Sequence, residues 1–421
     1  MRPLGGATAT PADVSRSWTR QLAILWAGQA GALSGTTFTV PFMPLLVESV
    51  GVHDPGAVAV WTGVQFTVSQ GMQVIFAPIW GRVADRIGRK AMVVRAMLGV
   101  GCALIVTSFA ANIWMLLGCR VLVGTLAGAP AATAALVAST APPERVASSL
   151  GIVQSAGSIG GIMGPGLGAV MVPAIGLRAA YVAAGVFCLC AGMAVLSGVQ
   201  ERFTPPDRTV RPTPTRQVIR EAGMAQPLIT LVVLAFLAQS ASISVTPSLP
   251  LRVTALADPH HVAATLGAAS AVQAGCAALA AISVARIARR VPYRVILVAV
   301  PLCAAAAYLM IAMASSVGSL LLFVGCAGLA TGMLIPSINT LLGRAAPAAV
   351  RAEVFGYSAS LMAAGGATMP LMATSLVPHF GTPAPFFMAT TLEVLVATWA
   401  ARRLGAGFQR ALPQPVPVQV P

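Results

Sequence analysis

The stretch GRVADRIGRK, Gly81 to Lys90, is a compact charged turn between two long apolar runs, in a chain otherwise nearly free of charge. Gly81 and Gly88 permit a tight turn and Asp85 supplies one fixed negative charge. Arg82, Arg86, Arg89 and Lys90 suit an anionic inner membrane surface. A solvated run of basic residues is the plainer reading. Two glycines around an acid, placed between two spanning segments, argue against it.

Working outward, 57% of the 421 residues are hydrophobic and 9% are charged, against about a quarter charged in ordinary soluble domains. The chain reads as an all-α membrane protein. Roughly twelve apolar runs are each long enough to cross ~30 Å of hydrocarbon. They fall at 21–47, 57–79, 91–111, 113–138, 148–172, 179–198, 227–251, 262–284, 295–315, 318–342, 354–377 and 384–401. A net charge of +15 raises nucleic acid as a partner, but the placement of the basic residues decides for the bilayer. With a cytoplasmic N-terminus the inward segments hold almost all of them, and the outward loops keep only Arg178 and Arg252. That asymmetry predicts both termini in the cytoplasm.

Residues 1–20 are polar and the first apolar run is longer than a signal-peptide core, so no cleavage is expected. All seven cysteines fall in predicted spans without a CxxC pair, which indicates neither disulfides nor zinc. His53, His260, His261 and His379 fall in different outward loops and make a poor metal site. No cofactor is expected.

The Pro- and Arg-rich stretch 200–226 reads as a cytoplasmic linker between six-helix bundles at 21–199 and 227–403, with a Pro-rich cytoplasmic tail at 404–421. Six spans on each side suggest duplication, with traces at an offset of about 205 residues. PFMPLLV, Pro41 to Val47, is echoed by PSLPLRV, Pro247 to Val253. The charged turn has a weak counterpart in ARIARRVPYR, Ala285 to Arg294, which has lost the acid, and Pro165 aligns with Pro370.

Several stretches carry a family likeness. GRVADRIGRK is similar to the loop motif between the second and third helices of the major facilitator superfamily. LLGCRVLVGTLAGA, Leu116 to Ala129, resembles that superfamily's fourth-helix motif with its intramembrane arginine, here Arg120. GGIMGPGLGA, Gly160 to Ala169, resembles the fifth-helix motif of twelve-span drug:proton antiporters. TVPFMPLLVE, WGRVADRIGRKAMVVR, NIWMLLGCRVLVG and the GLR at Gly176 to Arg178 resemble the MdtG-like multidrug efflux group. The resemblance implies two pseudo-symmetric bundles and export of hydrophobic or amphiphilic small molecules by alternating access in exchange for protons. It also implies an inner-membrane monomer.

Arg120 lies in an otherwise apolar span, read as near its inner third, where burial costs ~2.5–3.5 kcal/mol. The resemblance makes it a proton-relay group facing the cavity; snorkelling to the cytoplasmic face is the structural alternative. Gly157, Gly160, Gly161, Gly164 and Gly168 follow helical spacing, so a neighbouring helix can approach closely. Pro165 frees the Gly161 carbonyl and permits a bend. In the family pattern Asp85 latches the cytoplasmic side shut against the start of the eleventh helix, near Glu353 and Val354.

Stripes at helical spacing mark candidate cavity faces: Gln29 and Thr36; Trp61, Gln65, Ser69 and Gln73; Phe236 and Gln239; and Tyr357. Interhelical hydrogen bonding accounts equally well for any one glutamine. Many resembling antiporters carry a carboxylate inside the first helix, and this chain offers none there. Glu48, at the outer end of the first span, and Glu393, deep in the twelfth, are the remaining candidates for proton transfer. A sugar or metabolite exporter of the same fold is the main rival, followed by a non-transporting sensor. An intramembrane enzyme is disfavoured because no predicted span contains a histidine.

Overall fold

The computed structural model describes residues 11–201, 225–258, 261–347 and 351–404. Every long element is helical, as expected where the solvent is hydrocarbon and each backbone polar group needs an internal partner. The first half holds α1 (Pro11–Phe38), α2 (Met43–Ser49), α3 (Pro55–Ile87), α4 (Arg89–Ser108), α5 (Ile113–Leu126), α6 (Ala129–Thr140), α7 (Val146–Ile175) and α8 (Leu177–Gly198). The second half holds α9 (Ala225–Val245), α10 (Ser248–Leu256), α11 (Val262–Ile287), α12 (Tyr293–Met313), α13 (Val317–Ala345), α14 (Arg351–Thr374), α15 (Val377–Phe380) and α16 (Ala384–Arg403).

Among the described residues, ten stretches are long and apolar enough to cross a membrane, and eleven when α1 and α2, bent by 51°, count as one. At 33 residues α3 is the longest helix, and Gln65, Gln70 and Gln73 dilute its apolar character. Most of the linker expected at 200–226, His260, and the tail from residue 405 lie outside the described residues.

The charged stretch is not the turn its composition suggests. Residues Gly81 to Ile87 continue α3, because every one of them is compatible with a helix flanked by charge. The reversal falls on Gly88 alone, whose φ of +101° suits glycine. The next helix then starts at once: the Glu201 carboxylate accepts from the backbone nitrogens of Arg89 at 2.9 Å and Lys90 at 2.8 Å. At the opposite end of the bundle, Asp54 and Asn112 cap α3 and α5 by accepting from the nitrogens of Ala57 and Met115.

Within the first half, α1 packs on α7 and α8, α4 on α8, and α3 on α5; within the second, α9 packs on α14 and α16, α11 on α13, and α12 on α16. The halves meet where α3 touches α14 and α7 touches α11. Close approach at these seams is set by glycines. A Cβ on Gly164 would strike Thr37 and the backbone of Ser34, and one on Gly168 would strike the rings of Phe38 and Phe42. The sequence left open which helix the stripe faces; it is α1. Gly161 has no atom within 4 Å of such a Cβ, and α7 runs unbroken through Pro165.

The duplication is visible contact by contact. Gly124 meets Ser69 and Met72, while Gly328, 204 residues on, meets Gln273 and Cys276. Gly160 meets Ala30 and Ser34; Gly365 meets Phe236 and Ser240. Gly176 and Gly381, with φ of +83° and +78°, start α8 and follow α15 at matching places.

Candidate functional site: a cavity in the first half

A cavity of about 250 Å³ lies within the first half, walled by α1, α3, α4, α5, α6 and α8. Thr36, Thr37, Ser69, Gln70, Gln73 and Arg120 supply polar groups to a lining otherwise rich in aliphatic side chains, Met43, Met97 and Phe66. Arg120 is 6% exposed. Its Nη2 donates to the Met43 sulfur at 3.6 Å, a weak acceptor, and its Nε has no partner. Tyr181, whose hydroxyl donates to the Thr39 carbonyl at 3.5 Å, adjoins it. Among the described residues no acid lines the cavity.

The depth of Arg120 departs from the sequence reading. It stands seven residues into α5 from Ile113, about 10 Å from the end of the bundle opposite the charged stretch. The span enters from that opposite end, so the arginine lies in the third remote from the charged stretch and cannot snorkel to the charged end.

Of the other candidates, Thr36 and Ser69 line the cavity together with Gln73. Gln29 does not, because its Oε1 accepts from Thr133 at 3.0 Å and ties α1 to α6. Trp61 is half-buried against the core and does not line the cavity; it lies edge-on to Trp114 at 5.3 Å between ring centroids. Gln65 is fully buried and neither end of its amide has a partner. Phe236 and Gln239 sit half-buried on α9 in the second half, away from this cavity, and Tyr357 is exposed on α14. Gln70, which the stripe pattern missed, lines the cavity and reaches toward Gly366 of α14. It lies one residue off the chosen face, and only the packing distinguishes the two.

The two acids lie in different halves. Glu48 is exposed in the last turn of α2. Glu393 is fully buried in the second half on α16, which packs against α9 and α12; both its oxygens lack hydrogen-bond partners, and Tyr308 of α12 lies within electrostatic reach. Neither approaches Arg120 in the sense of lining its cavity.

The two ends of the bundle differ in closure. Away from the charged stretch, the Leu371 nitrogen donates to Thr67 at 3.2 Å, and Gly63 lies against Pro370, Leu371 and Thr374. At the charged end Asp85 is exposed and makes no ion pair among the described residues, and a Cβ on Gly81 or Gly356 would meet nothing within 4 Å. The side chains at 351–353, where the Asp85 latch is expected, lie outside the described residues.

The family model described as Major Facilitator Superfamily matches residues 25–290 and 231–416. The chain belongs to that superfamily. It is 31% identical over 389 residues to the multidrug resistance protein MdtG of Serratia proteamaculans, covering 91% of this chain and 93% of that one. It is 30% identical to the multi-drug resistance efflux pump PmrA of Streptococcus pneumoniae over 385 residues, covering 90% and 94%. Among solved structures, a bacterial homolog of the human lysosomal transporter Spinster, inward-facing and occupied, superposes with a TM-score of 0.74 at 14% identity over 95% of this chain and 99% of that one. A D-xylose-proton symporter gives 0.70 at 15% identity, over 92% and 97%. The superfamily fold thus covers both halves, and the chain is a multi-pass membrane transporter rather than an enzyme.

Proposed function

We propose that the protein exports hydrophobic or amphiphilic small molecules, drugs among them, across a bacterial inner membrane by alternating access in exchange for protons. The single observation that carries this reading is the mostly apolar first-half cavity with one buried, acid-free arginine. The multidrug resistance relatives support export, and the mostly apolar character of the lining suits an amphiphilic cargo better than a sugar. A buried guanidinium with no acid lining its cavity favours cargo with a hydrogen-bond-accepting or anionic end.

In this reading α3 is the remaining span, giving twelve, and the Gly81–Lys90 end faces the cytoplasm along with both termini. Bundles at 21–199 and 227–403 rock about the α3–α14 and α7–α11 seams. The present state is open to the cytoplasm, and engagement of Asp85 accompanies the outward-open state. Arg120 interacts with cargo or with the proton step, and Glu393 carries a proton within the second half. The working unit is a monomer.

Proton release from energised everted vesicles, on adding amphiphilic and neutral drugs and sugars in turn, tests the proposal. Release on adding drugs supports it. A response to sugars alone moves the cargo class, and silence to every compound removes the efflux reading.

A further inference from the structure

The fourth span is broken where its counterpart is not. Here α5 ends at Leu126 and α6 starts at Ala129, across Gly128 with φ of +115°, whereas α13 is continuous from Val317 to Ala345. Pro130 has no N–H to offer the Leu126 carbonyl four residues back, and the carbonyls at the end of α5 need other donors. Two side chains supply them. The Trp80 indole donates to the Thr125 carbonyl at 2.7 Å, and Arg95 Nη1 donates to the carbonyls of Leu126 at 2.8 Å and Ala127 at 3.5 Å. The Arg95 guanidinium also lies 3.9 Å from the centre of the Trp80 ring, so the donors brace each other.

The arrangement is confined to the first half. At 204 residues on, Trp80, Arg95 and Pro130 are replaced by Val284, Ala299 and Leu334. It also touches the cavity directly, because Ala127, Gly128, Ala129 and Pro130 are part of its wall and Arg120 stands on α5 six residues before the break.

We propose that Trp80 and Arg95 are positioning residues: they clamp the broken end of α5, fix the placement of Arg120 and the cavity wall, and transmit movement of the gate to them. Trp80 immediately precedes Gly81, so a shift of the charged end of α3 carries the indole and the Thr125 carbonyl with it. The link from clamp to cargo rests on the transport reading; the clamp itself does not.

Cys119, buried beside Arg120 on α5, reports the placement without any cargo. In full-length protein with the other six cysteines replaced by serine, N-ethylmaleimide should label Cys119 slowly. Arg95→Ala and Trp80→Phe should each label about tenfold faster, with Arg95→Lys between them and the parent. The triple variant Trp80→Val, Arg95→Ala, Pro130→Leu copies the second half and should label slowly again, since a continuous helix needs no clamp. In proteoliposomes, Arg95→Ala should raise KM for anilinonaphthalene sulfonate about tenfold with kcat little changed. Labelling of Arg95→Ala at the parent rate, or faster labelling with a fall in kcat at unchanged KM, would overturn the proposal. If the parent protein does not move the dye, the transport reading is what fails, and the labelling rates still decide the clamp.

Discussion

The two halves keep the same packing contacts and bury different charges. Gly124 against Ser69 and Met72, and Gly328 against Gln273 and Cys276, are one joint made twice. Yet at the offset of that joint Arg120 corresponds to Val324, which is buried among aliphatic side chains. At the offset of Gly176 and Gly381, the cavity-lining Cys188 corresponds to Glu393. Close backbone approach is shape-dependent and survives divergence, because any added side chain collides; charge is the freer variable and distinguishes a cation-lined cavity in one half from a buried acid in the other.

The largest effect expected is at the joints themselves. Gly164→Val should abolish recovery of folded protein, since the new atoms meet the Ser34 backbone, which cannot rotate away. Gly365→Val should cost less, about 1–3 kcal/mol, because its neighbours are the Ser240 hydroxyl and the Phe236 ring. Yield of monodisperse protein and thermal melting measure both. Equal losses at the two sites would remove the distinction between backbone and side-chain neighbours.

Next comes the exchange of charge. Val324→Arg should destabilise by roughly 2.5–3.5 kcal/mol, and Arg120→Leu should melt no lower than the parent while losing export. An Arg120→Leu variant that still exports would make the first-half cation incidental. In the second half, Glu393→Gln should fold normally, as burying a neutral amide costs less than burying a carboxylate, and should uncouple export from proton movement. Full proton-linked export in that variant would dismiss Glu393. The smallest effect on folding is expected at Asp85→Asn, within about 0.5 kcal/mol because the carboxylate is exposed, with slower export as its signature.

Much of the fold was legible because apolar length is a direct physical requirement of the bilayer: the run at 295–315 became Tyr293–Met313, and that at 384–401 became Ala384–Arg403. The break in the fourth span was not legible. Pro165, Pro301, Pro336 and Pro370 sit inside unbroken helices, so proline alone is no signal, and only its pairing with Gly128 and with donors from α3 and α4 opens the chain at Pro130. Cavity residues were half legible. Periodicity identifies a face of a helix but not its neighbour, which is why Thr36 and Ser69 reached the cavity while Gln29 bonded to Thr133 and Trp61 turned to Trp114.

The central claim is that the halves alternate about the α3–α14 and α7–α11 seams. Gly81→Cys and Gly356→Cys place spin labels where no neighbouring atom interferes, at the open ends of α3 and α14. Their distance distribution in reconstituted protein should show two populations, one longer and one shorter, with Asp85→Asn depleting the shorter one. A single long distance, unchanged by drug, proton gradient or Asp85→Asn, would contradict alternating access in this protein.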